Sequence, residues 1–412
     1  MDLPGDSERN LMQVDYLIVG SGLTGAVIAR LLADAGREVM VVDRREHAGG
    51  NVHDHLHPCG VRIHTYGPHY FRTSSDRIWE FVTRFSPFYK YEAALKSHVD
   101  GAYENWPVGI SYIRRAIGEH WKPEFSGKPR NFEEACLAMM PRLIYEKFVR
   151  GYTEKQWGVP ARSLSASLAG RFDIRMDDEP RLKLSRYQGI PLSGYSDWMT
   201  RMLEGIEVRL GFDYLKDRES ITPGKLLVFT GPIDEFFSYA LGRLAYRGQQ
   251  RDHVYHPQAK LVLPCGQVNN PSADEGAHIR TLEWKHMLDA GEAAGVRGTV
   301  LTTETPFTPL DPNQFEYPFP DEQNQLLYRR YREVADKLNG VLICGRLGEY
   351  RYYDMDQAIG RAMMLAERIT AAECLMDANQ KVREAVEQIR EIARKAPGKP
   401  AGAGTAGEAG KV

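Results

Sequence analysis

The stretch "VDYLIVGSGLTGAVIARLLADAGREVMVVD", residues 14–43, constrains this chain more than any other. "VDYLIVG" (14–20) is a short apolar run ending in glycine, the pattern of a buried strand. "TGAVIARLLADAG" reads as a helix with Gly36 as its stop signal. "EVMVVD" (38–43) reads as a second strand. Strand, helix and strand in that order open a doubly wound α/β sheet. Gly20, Gly22 and Gly25 stand in GxGxxG spacing at the first turn. Gly20 permits a tight turn, Gly22 lets a pyrophosphate approach the backbone, and Gly25 lets the helix pack on the strand. The helix N-terminus offers unpaired N–H groups to phosphate. Asp43 closes the second strand about 20 residues on, where ribose recognition needs an acid. The spacing and its context together predict dinucleotide binding.

Two features bear on which dinucleotide. "RREHAGGN" (44–51) follows Asp43 and offers Arg44 or Arg45 to a second phosphate. Gly49 and Gly50 with Asn51 form a second close backbone approach, more than a plain NAD site needs. The chain closes with a strand, "GVLICG" (340–345), and a helix, "DMDQAIGRAMMLAERI" (354–369), capped by Asp354. That helix would aim its positive end at an anionic ligand group. These features favour FAD.

The remaining length accommodates more than one core: 412 residues suit two or three domains. Residues 76–150 read as helical. "NFEEACLAMM" carries Asn131 as its cap, and Pro141 separates it from a helix running to about Gly151. Residues 205–330 favour strands: "KLLVFTG" (225–231), "AKLVL" (259–263), "HIRTLEW" (278–284) and "GTVLTTE" (298–304). The expected organisation is a discontinuous FAD-binding domain at 14–75, 193–242 and 337–395. A helical substrate-binding insertion spans 76–170, and a mobile loop plus antiparallel β-sheet domain spans 171–192 and 243–336. The Gly/Ala/Pro-rich segment 396–412 is expected to be a disordered tail.

Composition narrows the partners. A formal net charge of −2 gives no global field to recruit nucleic acid or an anionic membrane. No apolar run approaches the roughly 20 residues of a spanning helix. "MDLPGDSERN" lacks the apolar core of a signal peptide, so the cytoplasm is expected. Cys59, Cys136, Cys265, Cys344 and Cys374 are widely spaced, without CxxC, so no zinc site is indicated. His64 and His69 in "HTYGPHYF" lack other ligands at metal spacing. "RFDIRMDDEPRLK" (171–183) sets Arg171, Arg175, Arg181 and Lys183 among four acids and reads as a mobile charged loop able to close on an anion. "GRLGEYRYYDMD" (345–356) places a tyrosine cluster just after a strand, where doubly wound sheets bind ligands.

Taken together, "GSGLTGAV", "GGN", "HTYGPHYF", "GYTEKQWG" (151–158), "RYQGIP" (186–191), "TGPID" (230–234) and "GRLGEYRYYDMDQ" resemble the bacterial UDP-galactopyranose mutases, in the family's order, from about residue 14 to 370. The resemblance implies an FAD-dependent isomerase that interconverts a nucleoside-diphosphate hexopyranose and hexofuranose without net redox. It implies that N5 of reduced FAD attacks the anomeric carbon, which requires an external reductant such as NAD(P)H. It further implies that Phe148 and Tyr152 stack on the base and that Trp157 borders the channel. Arg175 and Arg280 match the arginines that hold the diphosphate, and Tyr187, Tyr317 and Tyr352 match its tyrosine donors. His69 matches the histidine against the flavin. Arg346, Asp354 and Met355 match flavin-side positions, and Asn270 a ligand-side asparagine. A homodimer is implied as well.

The chain also departs from the family. "AALKSHV" (93–99), "PCGQVNNPSADEGA" (264–277) and the segment after "NWP" (105–107) match poorly, and Arg72 stands where a second histidine is common. These segments border the base and sugar subsites. They leave open another substrate, GDP-linked or carrying a modified sugar. Two other readings are an FAD-dependent amine oxidase or desaturase, which needs an apolar cage instead of paired arginines, and a non-catalytic nucleotide-sugar binder.

Overall fold

The computed structural model describes residues 12–371 except 119 and 173, together with 384, 387, 388 and 391. The expected tail at 396–412 and Cys374 lie outside the described residues.

Five parallel strands form the nucleotide-binding sheet, in the order Glu207–Arg209, Val39–Val42, Met12–Val19, Ile221–Phe229, Val341–Ile343. The opening strand is central, so both of its faces are covered, as a parallel sheet requires. Alternate residues supply two cores. Tyr16, Ile18, Val41 and Val228 pack with Val27 and Ile28 of helix Leu23–Asp34 and with Ile359 and Met363 of helix Met355–Ala371. Leu17, Met40, Val42 and Phe229 face the other way, toward Phe236 and Tyr331. The Rossmann-like opening and the closing strand and helix therefore pack into one sheet and one core.

A second sheet of seven strands runs Tyr317–Pro318, Tyr246–His256, Thr299–Phe307, Arg280–Glu283, Gln267–Asn269, Leu95–Val99, Ala102–Trp106. Its pairs are antiparallel except Gln267–Asn269 with Leu95–Val99. Leu95, Val99 and Trp106 pack against Phe132, Cys136, Ile144, Phe148 and Trp157, joining sheet and helices in a third core. No described helix is long and apolar enough to cross a membrane.

Four local readings need correction. Residues 76–170 are not helical throughout, since Leu95–Val99 and Ala102–Trp106 form a hairpin. Its turn residues Asp100 and Gly101 have φ of 53° and 76°, the positive pair that a two-residue hairpin favours. "AKLVL" is no strand, because the buried Glu283 carboxylate collects the Val262 and Leu263 amides and folds that segment into a loop. Asp354 does not cap the closing helix with its side chain; its carboxylate accepts from Arg72 Nη2 and the Tyr352 hydroxyl, each at 3.0 Å. The helix after Pro141 does not end near Gly151. It continues as Arg142–Ile144, a π-helical turn at Tyr145–Arg150 and a final segment Gly151–Trp157, and stops at Gly158 with φ of 70°.

Gly151 serves close packing inside that helix. A Cβ there would lie 2.1 Å from the Pro271 carbonyl oxygen. Gly151→Ala is expected to destabilise the protein by about 1–3 kcal/mol through overpacking. Gly295→Ala, with nothing within 4 Å of its Cβ, should stay within about 0.5 kcal/mol of the parent. Denaturant unfolding of both variants checks the contrast.

Candidate active site

Two cavities meet at the carboxyl ends of the parallel strands. The first begins where two glycine turns touch. Gly22 and Gly49 form an isolated parallel bridge, and Gly49 N donates to Ser21 O at 3.1 Å. A Cβ on Gly50 would lie 2.9 Å from Gly22 Cα, and one on Gly25 would lie 1.9 Å from Gly20 O. Only bare backbone fits, and it lines the cavity. Asp43 is buried at the end of its strand. Its Oδ2 accepts from Ser21 N (2.8 Å) and Ser21 Oγ (2.6 Å), so the carboxylate is preset beside the turn. Arg44 lines the same cavity, but Glu235 takes both Nη groups at 2.7 and 2.6 Å. Arg45 donates to Asn51 Oδ1 at 2.9 Å and orients that side chain. Neither arginine is deployed as a dedicated clamp for an extra phosphate.

The second cavity has a volume of about 460 Å³. Asn51, His69, Arg346 and Met355 line both cavities, so the two are continuous walls of one channel. Met355 is the first residue of the 17-residue closing helix, whose positive end therefore lies at the junction. His69 is held there as a neutral imidazole. Burial, then His64 and Arg346, lowers its pKa to about 3. Its Nδ1 pairs with Gly67 O at 2.7 Å, which assigns the proton to Nδ1 and leaves Nε2 a lone pair.

Beyond the junction the walls become aromatic and basic. Phe148, Tyr152, Trp157, Arg280, Tyr317, Tyr352 and Asp354 all line the second cavity. Tyr317 and Tyr352 stack with centroids 6.0 Å apart, and Arg171 lies over the Tyr352 ring at 4.1 Å. Burial raises the pKa of Tyr152 and Tyr352, which keeps both hydroxyls as donors at neutral pH. Burial works against the charge on Asp354, but Arg72, the Tyr352 hydrogen bond and Arg171 hold its pKa below the ordinary value.

Three expected positions are not in the cavity wall. Arg175 is turned into its own loop, with Nη1 donating to Glu179 O and Arg181 O at 2.7 and 2.6 Å and Nη2 to Leu182 O at 3.1 Å. Arg171, four residues earlier, takes the cavity position instead. Tyr187 stacks on Trp79 at 4.9 Å and donates to Asp76. Asn270 holds a turn through Glu275 O, His278 and Ser272 N. Its neighbour Asn269 lines the cavity, directly across the sheet from Arg280. Thr153 and Gln156, both inside "GYTEKQWG", also line it, as does Glu316, which no motif marks in the sequence. Among the described residues, no group of three His, Cys, Asp or Glu side chains is placed to hold a metal ion.

Comparisons with known proteins bear on the family and the fold. The family model for UDP-galactopyranose mutase matches residues 147–352, and that for an NAD(P)-binding Rossmann-like domain matches residues 18–85. The chain is 30% identical to a Klebsiella pneumoniae protein named "Probable UDP-galactopyranose mutase", across 87% of this chain and 95% of that protein. It is also 30% identical to the dTDP-fucopyranose mutase of Escherichia coli, across 85% and 97%. A crystal structure of reduced UDP-galactopyranose mutase superposes with a TM-score of 0.66 at 14% identity, covering 92% of this chain and 99% of that one. A putrescine oxidase superposes with a TM-score of 0.55 at 12% identity over 87% and 99%, which shows the same fold.

The buried histidines make the site acid-sensitive. His64 and His69 both have pKa values lowered to about 3 by burial. Between about pH 6.5 and 3 the unfolded chain binds protons that the native state refuses. Stability should therefore fall with pH, by up to about 1.4 kcal/mol per pH unit for each histidine. His64→Asn keeps an acceptor for the His69 amide and removes one titrating group. Its unfolding free energy should show a shallower acid slope than the parent across that window.

Proposed function

We propose that this chain, which belongs to the UDP-galactopyranose mutase family, interconverts the pyranose and furanose forms of a nucleoside-diphosphate hexose with FAD as its cofactor. It is an isomerase of the UDP-galactopyranose mutase type. The observation that carries the finer reading is the junction. A glycine-walled cavity opens, through Asn51, His69, Arg346 and Met355, into an aromatic and arginine-lined one. The first fits a dinucleotide: bare backbone at Gly22, Gly49 and Gly50 for a pyrophosphate, and Asp43 for a ribose. An Arg44 already paired with Glu235 argues against a further phosphate on that ribose. Bound and reduced, FAD supplies a nucleophilic nitrogen for the sugar's anomeric carbon, and an external reductant such as NAD(P)H charges it once.

The residues supply binding, orientation and charge. Phe148 and Tyr152 offer ring faces to a base, and Trp157 closes that end of the cavity. Arg280 and Arg171 hold the diphosphate, with donors from Tyr317 and Tyr352. They stabilise the negative charge that builds on the leaving group as the sugar–oxygen bond breaks. His69 keeps its Nδ1 proton on Gly67 O, so its Nε2 can accept a proton or a hydrogen bond at the junction. Ring faces accept any base, so base and sugar selection falls to edge contacts around Arg72, Asn269 and Gln156.

Reduced protein should convert at least one member of a panel of UDP-galactopyranose, dTDP-fucopyranose and GDP-hexoses to a furanose product resolved by chromatography, while oxidised protein should not. No product from any of them, with protein that is yellow as purified and bleached on reduction, would end this reading. Arg171→Ala should lower kcat/KM by at least tenfold, in line with charge-assisted hydrogen bonds worth about 1.5–3 kcal/mol each. Arg175→Ala should lose clearly less. The reverse order in steady-state kinetics would return the diphosphate to Arg175.

A further inference from the structure

The wall behind Arg280 contains a buried chain of charges that the reaction does not itself require. Glu304 lies on the inner strand Thr299–Phe307, directly across from Arg251 on one neighbouring strand and Arg280 on the other. Its carboxylate has no solvent exposure. Arg251 Nε donates to Glu304 Oε1 at 2.8 Å, and Arg280 Nε donates to Oε2. Arg251 then spends both Nη groups on Glu316, at 2.8 and 2.9 Å. Two cations and two carboxylates thus alternate. Arg280 alone of the two arginines lines the cavity, and its Nη1 and Nη2 make no hydrogen bond among the described residues.

We infer that Glu304 is a positioning residue: by holding Arg280 through Nε, it aims the remaining edge of that guanidinium at the substrate's diphosphate. The inference rests on the nucleotide-sugar reading of the cavity. A planar guanidinium tethered at Nε is fixed in orientation, and with it the direction of its terminal Nη1–Nη2 edge. The same carboxylate controls the neighbouring loop. A Cβ on Gly67 would lie 2.7 Å from Glu304 Oε1, 3.0 Å from Arg251 Nη2 and 3.4 Å from Arg280 Nη2. Gly67 has φ of 89°, and its carbonyl accepts from His69 Nδ1. One buried carboxylate therefore sets both the arginine on the substrate side and the backbone that orients the histidine at the junction.

The charge arithmetic makes this role separable from plain structural support. Glu304→Gln removes one negative charge and presents an N–H donor to one of the two arginines, so only one can stay tethered. The wall then carries an extra positive charge but an unaimed Arg280. An anion should bind no more weakly while the transition state loses its oriented donors, so affinity and rate part company.

The experiment uses the full-length, flavin-loaded protein. UDP affinity of the oxidised protein is measured by calorimetry, and kcat of the reduced protein on the sugar nucleotide that the parent converts. Glu304→Gln should lower kcat at least fivefold with a UDP Kd equal to or tighter than the parent's. Glu304→Asp, a milder change, keeps the charge but is too short to reach both arginines. It should lower kcat at least fivefold with Kd within twofold, and it decides the matter if Glu304→Gln does not retain flavin. A kcat loss smaller than fivefold in a flavin-loaded variant overturns the role, as does a UDP Kd that weakens in step with kcat. Failure of the parent itself to turn over any nucleotide sugar is a different result: it removes the functional reading and this role with it.

Discussion

A carboxylate removed completely from water survives only if its charge is matched and its lone pairs are used. Glu304 meets that condition with Arg251 on one oxygen and Arg280 on the other. The arrangement depends on three strands being in register, since Glu304 faces both arginines directly across the sheet. It excludes a side chain at Gly67, and so shapes the loop that delivers His69 to the junction. The cavity wall at Arg280 and the loop that carries His69 are thereby joined through one buried ion chain that ends at Glu316. Breaking the chain at one partner would leave an unmatched charge in the interior, a change that typically costs several kcal/mol.

The other fixed point is the contact between the two glycine turns. There bare backbone lines the cavity, and a Cβ on Gly50 would lie 2.9 Å from Gly22 Cα. Asp43 is anchored by Ser21 within the same turn. The helix Met355–Ala371 then arrives from the far end of the chain and packs on Leu23–Asp34, which carries its N-terminus to the junction. The channel is therefore assembled from the first and last described segments, with the sheet and helical stretch between them forming its far half.

That far half departs from simple helix and strand periodicity in ways that place side chains. The π-helical turn at Tyr145–Arg150 shifts the helix register just before Tyr152, and such turns often occur at functional sites. Phe148 remains on the cavity wall, packed against Trp106 at 6.2 Å. The loop after the short helix Ala166–Arg171 folds on itself, with Arg175 gathering three carbonyls and Arg181 pairing with Glu179 and Glu92. Arg171, at the base of the loop, lies over the Tyr352 ring at 4.1 Å.

The nucleotide-binding half was legible in the sequence because its signals are local. Glycines at fixed spacing, an acid at a strand end and a buried apolar run dictate backbone geometry within a few residues. The Asp100–Gly101 hairpin is equally local, and a helical reading of the segment misses it. The choice between Arg171 and Arg175, or between Asn269 and Asn270, was not local. Each pair offers the same chemistry at nearly the same place in the chain, and which member reaches the cavity depends on strand register and on carbonyls contributed by the folded loop. Glu304 was invisible for the same reason: a lone glutamate in a strand has no signature until two arginines, 53 and 24 residues away in sequence, are brought beside it by pairing. Local sequence signals dictate the glycine turns and the acid at the strand end; which charged side chains line the second cavity follows from tertiary structure, because a buried charge is placed by its partners and those partners meet only in the folded sheet.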